Sequence, residues 1–333
     1  MTQSDTTPHQ TGAVQTMKNG MPEPLGFTLP RAIFFAIFVI FVIVAPTFLY
    51  PIFLMKIYCF IIFALGYNLL LGYTGLMSFG HAAFFGMGGY LCGHAATDWG
   101  LPFELAVLTG TIFSTALGYL FAKIAIRRTG IYFAMITLAL AQMVYFICLQ
   151  APFTGGEDGI QAVPRGSILG LIDLRNDTAL YWTMAVIVLA MIMLVNRIVH
   201  SPFGQVLRAI RNNPVRAKSL GFDVDRFKVV SFALSAGVAG FAGALKTVIF
   251  GIATLTDVST VTSTEVVLIN LVGGIGTIFG PVVGSFVILS LEHFLAPYGP
   301  WVLFIQGIVF MVFVLVFRQG IVGGLQKVLR KQL

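Results

Sequence analysis

The feature that most constrains this chain is a succession of ten apolar segments, most of them about as long as a membrane-spanning helix. A helix needs about 20 apolar residues to cross the hydrocarbon core of a bilayer. Hydrophobic residues make up 57% of the chain and charged residues only 10%, against about 25% charged in ordinary globular domains. Since a water-soluble fold cannot bury that much apolar surface, we predict an all-α polytopic membrane protein with about eight to ten transmembrane segments, including short or re-entrant helices. The segments are 32–50, 52–72, 74–96, 102–126, 131–150, 179–199, 229–250, 264–279, 281–296 and 301–317.

Charged residues in the connecting segments predict the orientation of the bundle. The segment 200–228 carries six basic and two acidic residues, whereas 151–178 carries two basic and four acidic residues. Basic residues concentrate in the cytoplasmic loops of membrane proteins. We therefore expect both termini, 127–130 and 200–228 to be cytoplasmic, and 97–101, 151–178 and 251–263 to face outward. The net charge of +7 then reflects this orientation and does not indicate a nucleic-acid partner.

The sequence predicts one membrane domain between two polar tails. Residues 1–30 are rich in Thr, Gly and Pro and lack apolar periodicity, so we expect a mobile N-terminal tail. Residues 31–318 form the membrane domain, and 319–333 form a basic cytoplasmic C-terminal tail. Under the predicted topology, residues 264–296 must leave and return to the same side, either as two short spans or as a re-entrant hairpin.

The cytoplasmic segment 200–228 shows two helical signals in succession. An amphipathic stretch, 203–211, follows a proline, and Asn213-Pro214 is typical of a second helix start. Gly221 suits a left-handed cap at the end of that second helix. The interpretation that we prefer is a pair of short helices that serves as a docking element, and the alternative is an ordinary solvated basic loop. The apolar face of the first helix consists of Phe203, Val206, Leu207 and Ile210.

A glycine-rich stretch, GLMSFGHAAFFGMGGY at residues 75–90, interrupts the third apolar segment. Small residues let membrane helices pack closely, and a break near mid-membrane is tolerated where the backbone is buried or lines a wet cavity. Ser78 and His81 add polar side chains at this depth. They either line a translocation path or form hydrogen bonds inside the bundle, and both alternatives stay open here. Other polar members of apolar segments with the same two alternatives are Tyr132, Thr137, Gln142 and Asn270.

Several catalytic and ligand-binding motifs are absent from the sequence. It contains no G-x-x-x-x-G-K-[ST] phosphate loop, no H-E-x-x-H or paired-Cys metal motif and no G-x-S-x-G elbow. We therefore expect no metal or cofactor in this chain, and we do not favour a membrane enzyme. Glu104, Glu265 and Glu292 lie near predicted segment ends, so no carboxylate stands clearly at a span centre, where ion-coupled carriers place one. Transport energy would then come from another subunit.

Six stretches carry a resemblance to a known family. The chain resembles the permease subunits of the branched-chain amino acid family of ABC importers, of the LivM-like kind. In the family's order, the stretches span nearly the whole hydrophobic region. They are GYNLLLGYTGLMSFGHAAFFGMGGY (66–90), TGIYFAMITLALAQ (129–142), TGGEDGI (154–160), SPFGQVLRAIRNNPVRAKSLGFD (201–223), SAGVAGFAGAL (235–245) and STEVVLINLVGGIGTIFGPVVGS (263–285).

The resemblance implies that 201–221 is a coupling loop that seats in a groove of a separate ATP-hydrolysing subunit. Ala217 and Gly221 match the alanine and glycine of the loop consensus, whereas Val215 and Arg216 stand where the family usually has an acidic residue. ATP and Mg²⁺ would be bound by the partner, and this chain would catalyse nothing. The expected coupling residues are Arg208, Arg211, Asn213, Arg216, Ala217 and Gly221.

The resemblance also implies further partners and a cargo. A second, homologous permease subunit would lie beside this chain in the lipid of the bacterial inner membrane, and a periplasmic binding protein would dock on the outer side. Branched-chain or other hydrophobic amino acids are the first expectation for the cargo. Urea, short amides and organic acids are alternatives within the class, and a secondary carrier is a less favoured class. Docking candidates, for which ordinary solvation of loop charges is the alternative, are Glu157, Asp158, Arg165 and Arg175.

Overall fold

The computed structural model describes residues 29–168, 172–299 and 320–329, with isolated positions between 301 and 311. Nearly all of the predicted N-terminal tail lies outside the described residues, so the expectation of mobility there stays a prediction. The first helix already begins at Leu29, two residues before the predicted start of the membrane domain.

Long apolar helices form most of the described bundle. Five of them are long and apolar enough to cross a membrane, the first being α2 together with the π-helical turn Leu69–Thr74 that continues it. The chain is therefore a multi-pass membrane protein, and its predicted orientation stays a prediction. The long helices are α1 (Leu29–Phe48), α2 (Pro51–Asn68), α3 (His81–Thr97), α4 (Phe103–Ala125), α5 (Ile131–Gln150), α6 (Asp177–His200) and α9 (Val224–Phe250).

Shorter elements complete the described fold. The short helices α10 and α11 have 14 and 16 residues, about 21 and 24 Å, which is less than the hydrocarbon core. They pack against each other as an antiparallel pair, in agreement with the two short apolar pieces predicted within 264–296. The short helices are α7 (Pro202–Asn212), α8 (Pro214–Ser219), α10 (Thr260–Gly273), α11 (Gly280–Leu295) and α12 (Gly320–Leu329).

Small non-helical elements occur in the connections. A two-residue antiparallel hairpin pairs β1 (Ser167–Ile168) with β2 (Ile172–Asp173). Single 3₁₀ turns occupy Pro152–Thr154, Leu255–Val258 and Ala296–Tyr298. The fold class is therefore all-α with a minor hairpin that the sequence did not predict.

The third apolar segment differs from the expected 74–96 helix. Residues 75–80 are not helical, and α3 begins only at His81. Gly75 has φ +78°, a left-handed conformation that favours glycine, and it lies against the side chain of Arg211 in α7. The break therefore lies at the end of α2 beside α7, and its predicted position near mid-membrane is wrong.

Small residues bring α3, α4 and α9 into close contact at the centre of the bundle. A Cβ atom on Gly88 of α3 would meet the backbone of Gly240 in α9, and one on Gly110 of α4 would meet the carbonyl of Gly88. On the far side, a Cβ on Gly240 would meet Ser114 of α4. Membrane helices associate closely where such residues face each other. The glycines of 75–90 thus serve close packing in α3, one of the two alternatives raised by the sequence.

The bundle has two ends of different composition. The basic end holds α7, α8, the turn Leu69–Thr74 and the α10–α11 connection at 274–279, and the start of α12 packs against that connection. The opposite end holds the connections 97–102, 151–176 and 251–259, where Ile160 and Ala253 pair through their backbones. Within the predicted C-terminal tail, Val322 of α12 is buried, so part of that tail is a packed helix.

Candidate functional site

The helical hairpin α7–α8 projects from the basic end, and its sequence explains its shape. The side chain of Ser201 accepts a hydrogen bond from the N–H of Gly204 at 3.4 Å, and that of Asn213 accepts one from the N–H of Arg216 at 3.0 Å. Each cap precedes a proline at the first helical position. Gly221 has φ +89°. Both predicted helix starts and the left-handed glycine are confirmed.

The two faces of α8 differ in exposure. Ala217 is only 2% exposed and packs inward, so its methyl group offers no surface to a partner. Val215 of α8 and Leu220, which follows the last residue of α8, are 77% and 69% exposed. Arg216 and Gly221 are exposed as well. The outward surface of α8 therefore consists of Val215 and Leu220, which sequence analysis did not select, together with Arg216 and Gly221, which it did.

Arginines of α7 attach the hairpin to the bundle. Arg211 donates a hydrogen bond to the carbonyl of Gly72 in the π-helical turn. The guanidinium group of Arg208 lies 5.4 Å from the ring centroid of Tyr73, a cation–π contact, and donates to the carbonyl of Val199 at 3.4 Å. Both side chains thus make contacts within this chain and hold α7 against the turn at the end of α2.

Asn68 connects the end of α2 to the α10–α11 connection. Its Nδ2 donates to the carbonyl of Thr277 at 2.7 Å, and its Oδ1 accepts from the N–H of Gly276 at 2.9 Å. The side chain is fully enclosed. The side-chain amide of Asn68 therefore makes hydrogen bonds with two backbone groups that lie outside the helices. It does so next to the turn that Arg211 contacts.

Replacing Asn68 with alanine is expected to lower the free energy of unfolding by about 2–4 kcal/mol, because each buried group left without a partner costs about 1–3 kcal/mol. Thermal unfolding of the purified chain in detergent measures the change. Asn212→Ala, which removes an exposed amide from α7, is the control and should unfold at the temperature of the parent. Equal unfolding temperatures for the two variants would contradict the structural role of Asn68.

His81 occupies a closed aromatic cage at the start of α3. Its Nε2 lies 2.8 Å from the hydroxyl of Ser235, whose own hydrogen is donated to the carbonyl of Gly66 at 2.6 Å. Nε2 therefore carries the ring proton and donates it to Ser235. The rings of Tyr67, Phe84 and Phe232 surround the imidazole, which has no exposed surface in this conformation.

The structure brings some of the polar candidates together and separates others. Thr137 accepts from the N–H of Phe79 at 3.3 Å, so it lies beside Ser78 and His81. Asn270 is equally buried and donates to the carbonyl of Val266, one turn earlier in α10. Tyr132 is 71% exposed on the outer surface of α5, and Gln142 is half-buried. Tyr132 and Gln142 therefore do not share the enclosed environment of the other four.

A charged cluster lies between α2, α9, α10 and α11, and sequence analysis missed it. Lys56 Nζ lies 3.2 Å from both carboxylate oxygens of Glu292, and Lys246 is paired with Asp257. Oε1 of Glu265 is enclosed beside them. Glu265 and Glu292 lie five and three residues from an end of their helices, so the prediction that no carboxylate stands clearly at a span centre is not contradicted, whereas the cluster itself was not predicted. The sequence feature that could have indicated the cluster is Lys56, which interrupts an otherwise apolar segment. The other members of the cluster could not be identified from it, because they lie more than 180 residues away along the chain.

The candidates for binding-protein docking lie at the opposite end of the bundle. Glu157, Asp158 and Arg175 are exposed there. Arg165 is half-buried and binds within the chain, donating to Asp177 at 2.6 Å and to the carbonyl of Ile249 at 3.0 Å. Arg165 thus anchors its loop to α6 and α9, whereas Glu157 and Asp158 offer charged groups to a partner or to solvent.

A helical bundle with close-packed spans, paired short helices and a helical hairpin attached at one end defines a multi-pass helical membrane protein. Residues 49–316 match the sequence model of the family described as the permease component of branched-chain amino acid transport systems. This match covers most of the chain, which therefore belongs to that family.

Curated relatives agree with this assignment. The high-affinity branched-chain amino acid transport system permease protein LivM of Escherichia coli (strain K12) is 26% identical over 286 residues, which are 79% of this chain and 67% of that protein. The autoinducer 2 import system permease protein LsrC of Salmonella choleraesuis (strain SC-B67) is 28% identical over 54% of this chain and 53% of its own length. The xylose transport system permease protein XylH of Escherichia coli (strain K12) is 27% identical over 44% of this chain and 38% of its own length. No solved structure matches the chain.

Proposed function

We propose that this chain is the transmembrane permease subunit of an ATP-driven ABC importer in the bacterial inner membrane, and that it carries branched-chain or other hydrophobic amino acids. The LivM relative supports this cargo, because it matches 79% of the chain. The relatives named for xylose and autoinducer 2 match about half of it. Translocation is the function, and ATP hydrolysis with Mg²⁺ belongs to partner subunits.

The observation that carries this proposal is the outward surface of α8. Exposed apolar side chains on a short helix beside basic residues are suited to a groove in a partner protein. The helix pair is attached through Arg211 to Gly72, at the end of the most enclosed span. Movement of the docked ATP-binding subunits would therefore reach the end of α2 and, through Asn68, the α10–α11 connection.

The remaining partners follow from the same proposal. A periplasmic binding protein would dock at the opposite end, near Glu157, Asp158 and Arg175, and a second homologous permease would complete the membrane part. Four polar candidates are enclosed in the present conformation, so they would line the path only once the helices separate. They are Ser78, His81, Thr137 and Asn270.

Reconstitution of the complete importer tests the proposal. Co-expression with the ATP-binding subunits, the second permease and the binding protein should yield a complex that takes up L-leucine only when ATP and Mg²⁺ are present inside the vesicles. Uptake of urea, acetamide or an organic acid in place of leucine would replace the proposed cargo. Leucine uptake driven by an ion gradient in vesicles without the ATP-binding subunits would overturn the ABC assignment.

A further inference from the structure

Five ionisable side chains converge near the opposite end of the bundle. They belong to α2, α9, α10, α11 and the 3₁₀ turn Leu255–Val258. Lys56 and Glu265 are each five residues inside the start of their helix, about 7.5 Å from its end. The cluster consists of Lys56, Lys246, Asp257, Glu265 and Glu292.

Two ion pairs account for four of these groups. Lys246 and Asp257 form a nearly buried pair, and Asp257 also accepts from the hydroxyl of Thr254 at 3.0 Å. Lys56 Nζ lies 3.2 Å from each oxygen of Glu292 and has a side chain that is 32% exposed. The first pair is thus held within the protein, whereas the second is accessible.

The fifth group, Glu265, has no cation of its own. Its Oε1 is enclosed and has no hydrogen-bond partner among the described residues. The carboxyl group of Glu292 is adjacent to it, and Lys56 already serves Glu292. Three carboxyl groups therefore share two ammonium groups. The carboxyl group of Glu265 shares a hydrogen bond with that of Glu292, but its Oε1 stays enclosed without a partner, which is unfavourable, so the site is suited to one further cationic group.

We propose that this cluster binds the zwitterionic end of an α-amino acid, with Glu265 and Glu292 receiving its ammonium group and Lys56 its carboxylate. Lys56 is itself an alkylammonium held by Glu292, so the structure shows that Glu292 accepts such a group. Its flexible stem allows Nζ to move from Glu292 to an incoming carboxylate. This inference rests on the proposed function, to which it adds the residues that recognise the cargo on the outward side.

The Glu265→Gln variant separates a binding role from a structural one. Glutamine keeps the shape of the side chain and can still donate a hydrogen bond to Glu292, so the variant should fold and assemble like the parent, as size-exclusion chromatography would show. Its uptake of L-leucine by the reconstituted importer should fall about ten- to hundredfold, the range expected for a lost hydrogen bond between charged groups. Asp98→Asn, which neutralises an exposed carboxylate at the same end, is the control and should transport at the rate of the parent.

Lys56→Gln and two competitors complete the test. The Lys56 variant should also lose leucine uptake, about tenfold. Uptake by the parent should be inhibited by unlabelled L-leucine, and neither 4-methylpentanoate nor 3-methylbutylamine should inhibit it at the same concentration, because each lacks one of the two charges. Uptake by Glu265→Gln and Lys56→Gln within twofold of the parent would overturn this inference alone. If the parent importer takes up no leucine, the proposed cargo and this inference both fail.

Discussion

Replacing Leu220 with glutamate should abolish ATP-driven uptake while the bundle stays folded. Leu220 directly follows α8, is exposed, and makes no contribution to the buried core. A hot-spot side chain of a protein interface contributes about 2 kcal/mol or more, so a charged replacement at such a position should weaken binding of the ATP-binding subunit about 30-fold or more. Co-purification of that subunit with the tagged permease measures the effect. Leu220→Met, which keeps an apolar side chain, is the matched control.

Ala217→Glu should fail in a different way. Ala217 packs inward on α8, so a buried carboxylate at this position would disrupt the α7–α8 hairpin itself. Limited proteolysis should cut the hairpin in this variant and leave it intact in Leu220→Glu. If Leu220→Glu retains the ATP-binding subunit at the level of the parent, the outward surface of α8 is not the docking surface.

Replacing Gly240 with valine should prevent the chain from folding. The added side chain would meet Ser114 of α4. On its other side, the backbone of Gly240 already lies close to Gly88 of α3. Neither backbone can move without separating α3, α4 and α9, so we expect a cost of about 3 kcal/mol or more. Fluorescence-detected size-exclusion chromatography of detergent extracts should show aggregate and no monodisperse peak.

Gly307→Val is the control for this substitution. Gly307 is an exposed helical glycine with no atoms near the position of a Cβ, so the same added side chain meets nothing. Its extract should elute like the parent. A monodisperse, stable Gly240→Val protein would show that α3, α4 and α9 do not depend on this close approach.

The hydrophobic segments predicted most of the helices closely. The segment 131–150 matches α5 at both ends, and Asn213-Pro214 marks the start of α8. These successes have a local cause, because helix length is set by bilayer thickness and helix starts are set by residues that bind their own backbone. The break at 75–80 was raised as an alternative but placed at the wrong depth, since its position depends on contact with Arg211.

Residue exposure on a helix could not be predicted in the same way. Ala217 and Leu220 are three residues apart, and no local sequence pattern predicts that the alanine packs inward while the leucine faces outward. His81 likewise appeared as a polar residue in an apolar segment, and only the packing of Tyr67, Phe84 and Phe232 encloses it. Both outcomes depend on neighbours supplied by other helices.

The sequence by itself determined that this chain is a helical membrane protein with a capped helical hairpin between α6 and α9. Those properties follow from apolar length and from side chains that act within a few residues of themselves. Only the tertiary structure decided which charges meet, because Lys56 and Glu292 are 236 residues apart and the pairing depends on how α2 and α11 pack. Charges act on whatever lies within a few ångströms, and in a folded bundle that distance bears no relation to position along the chain.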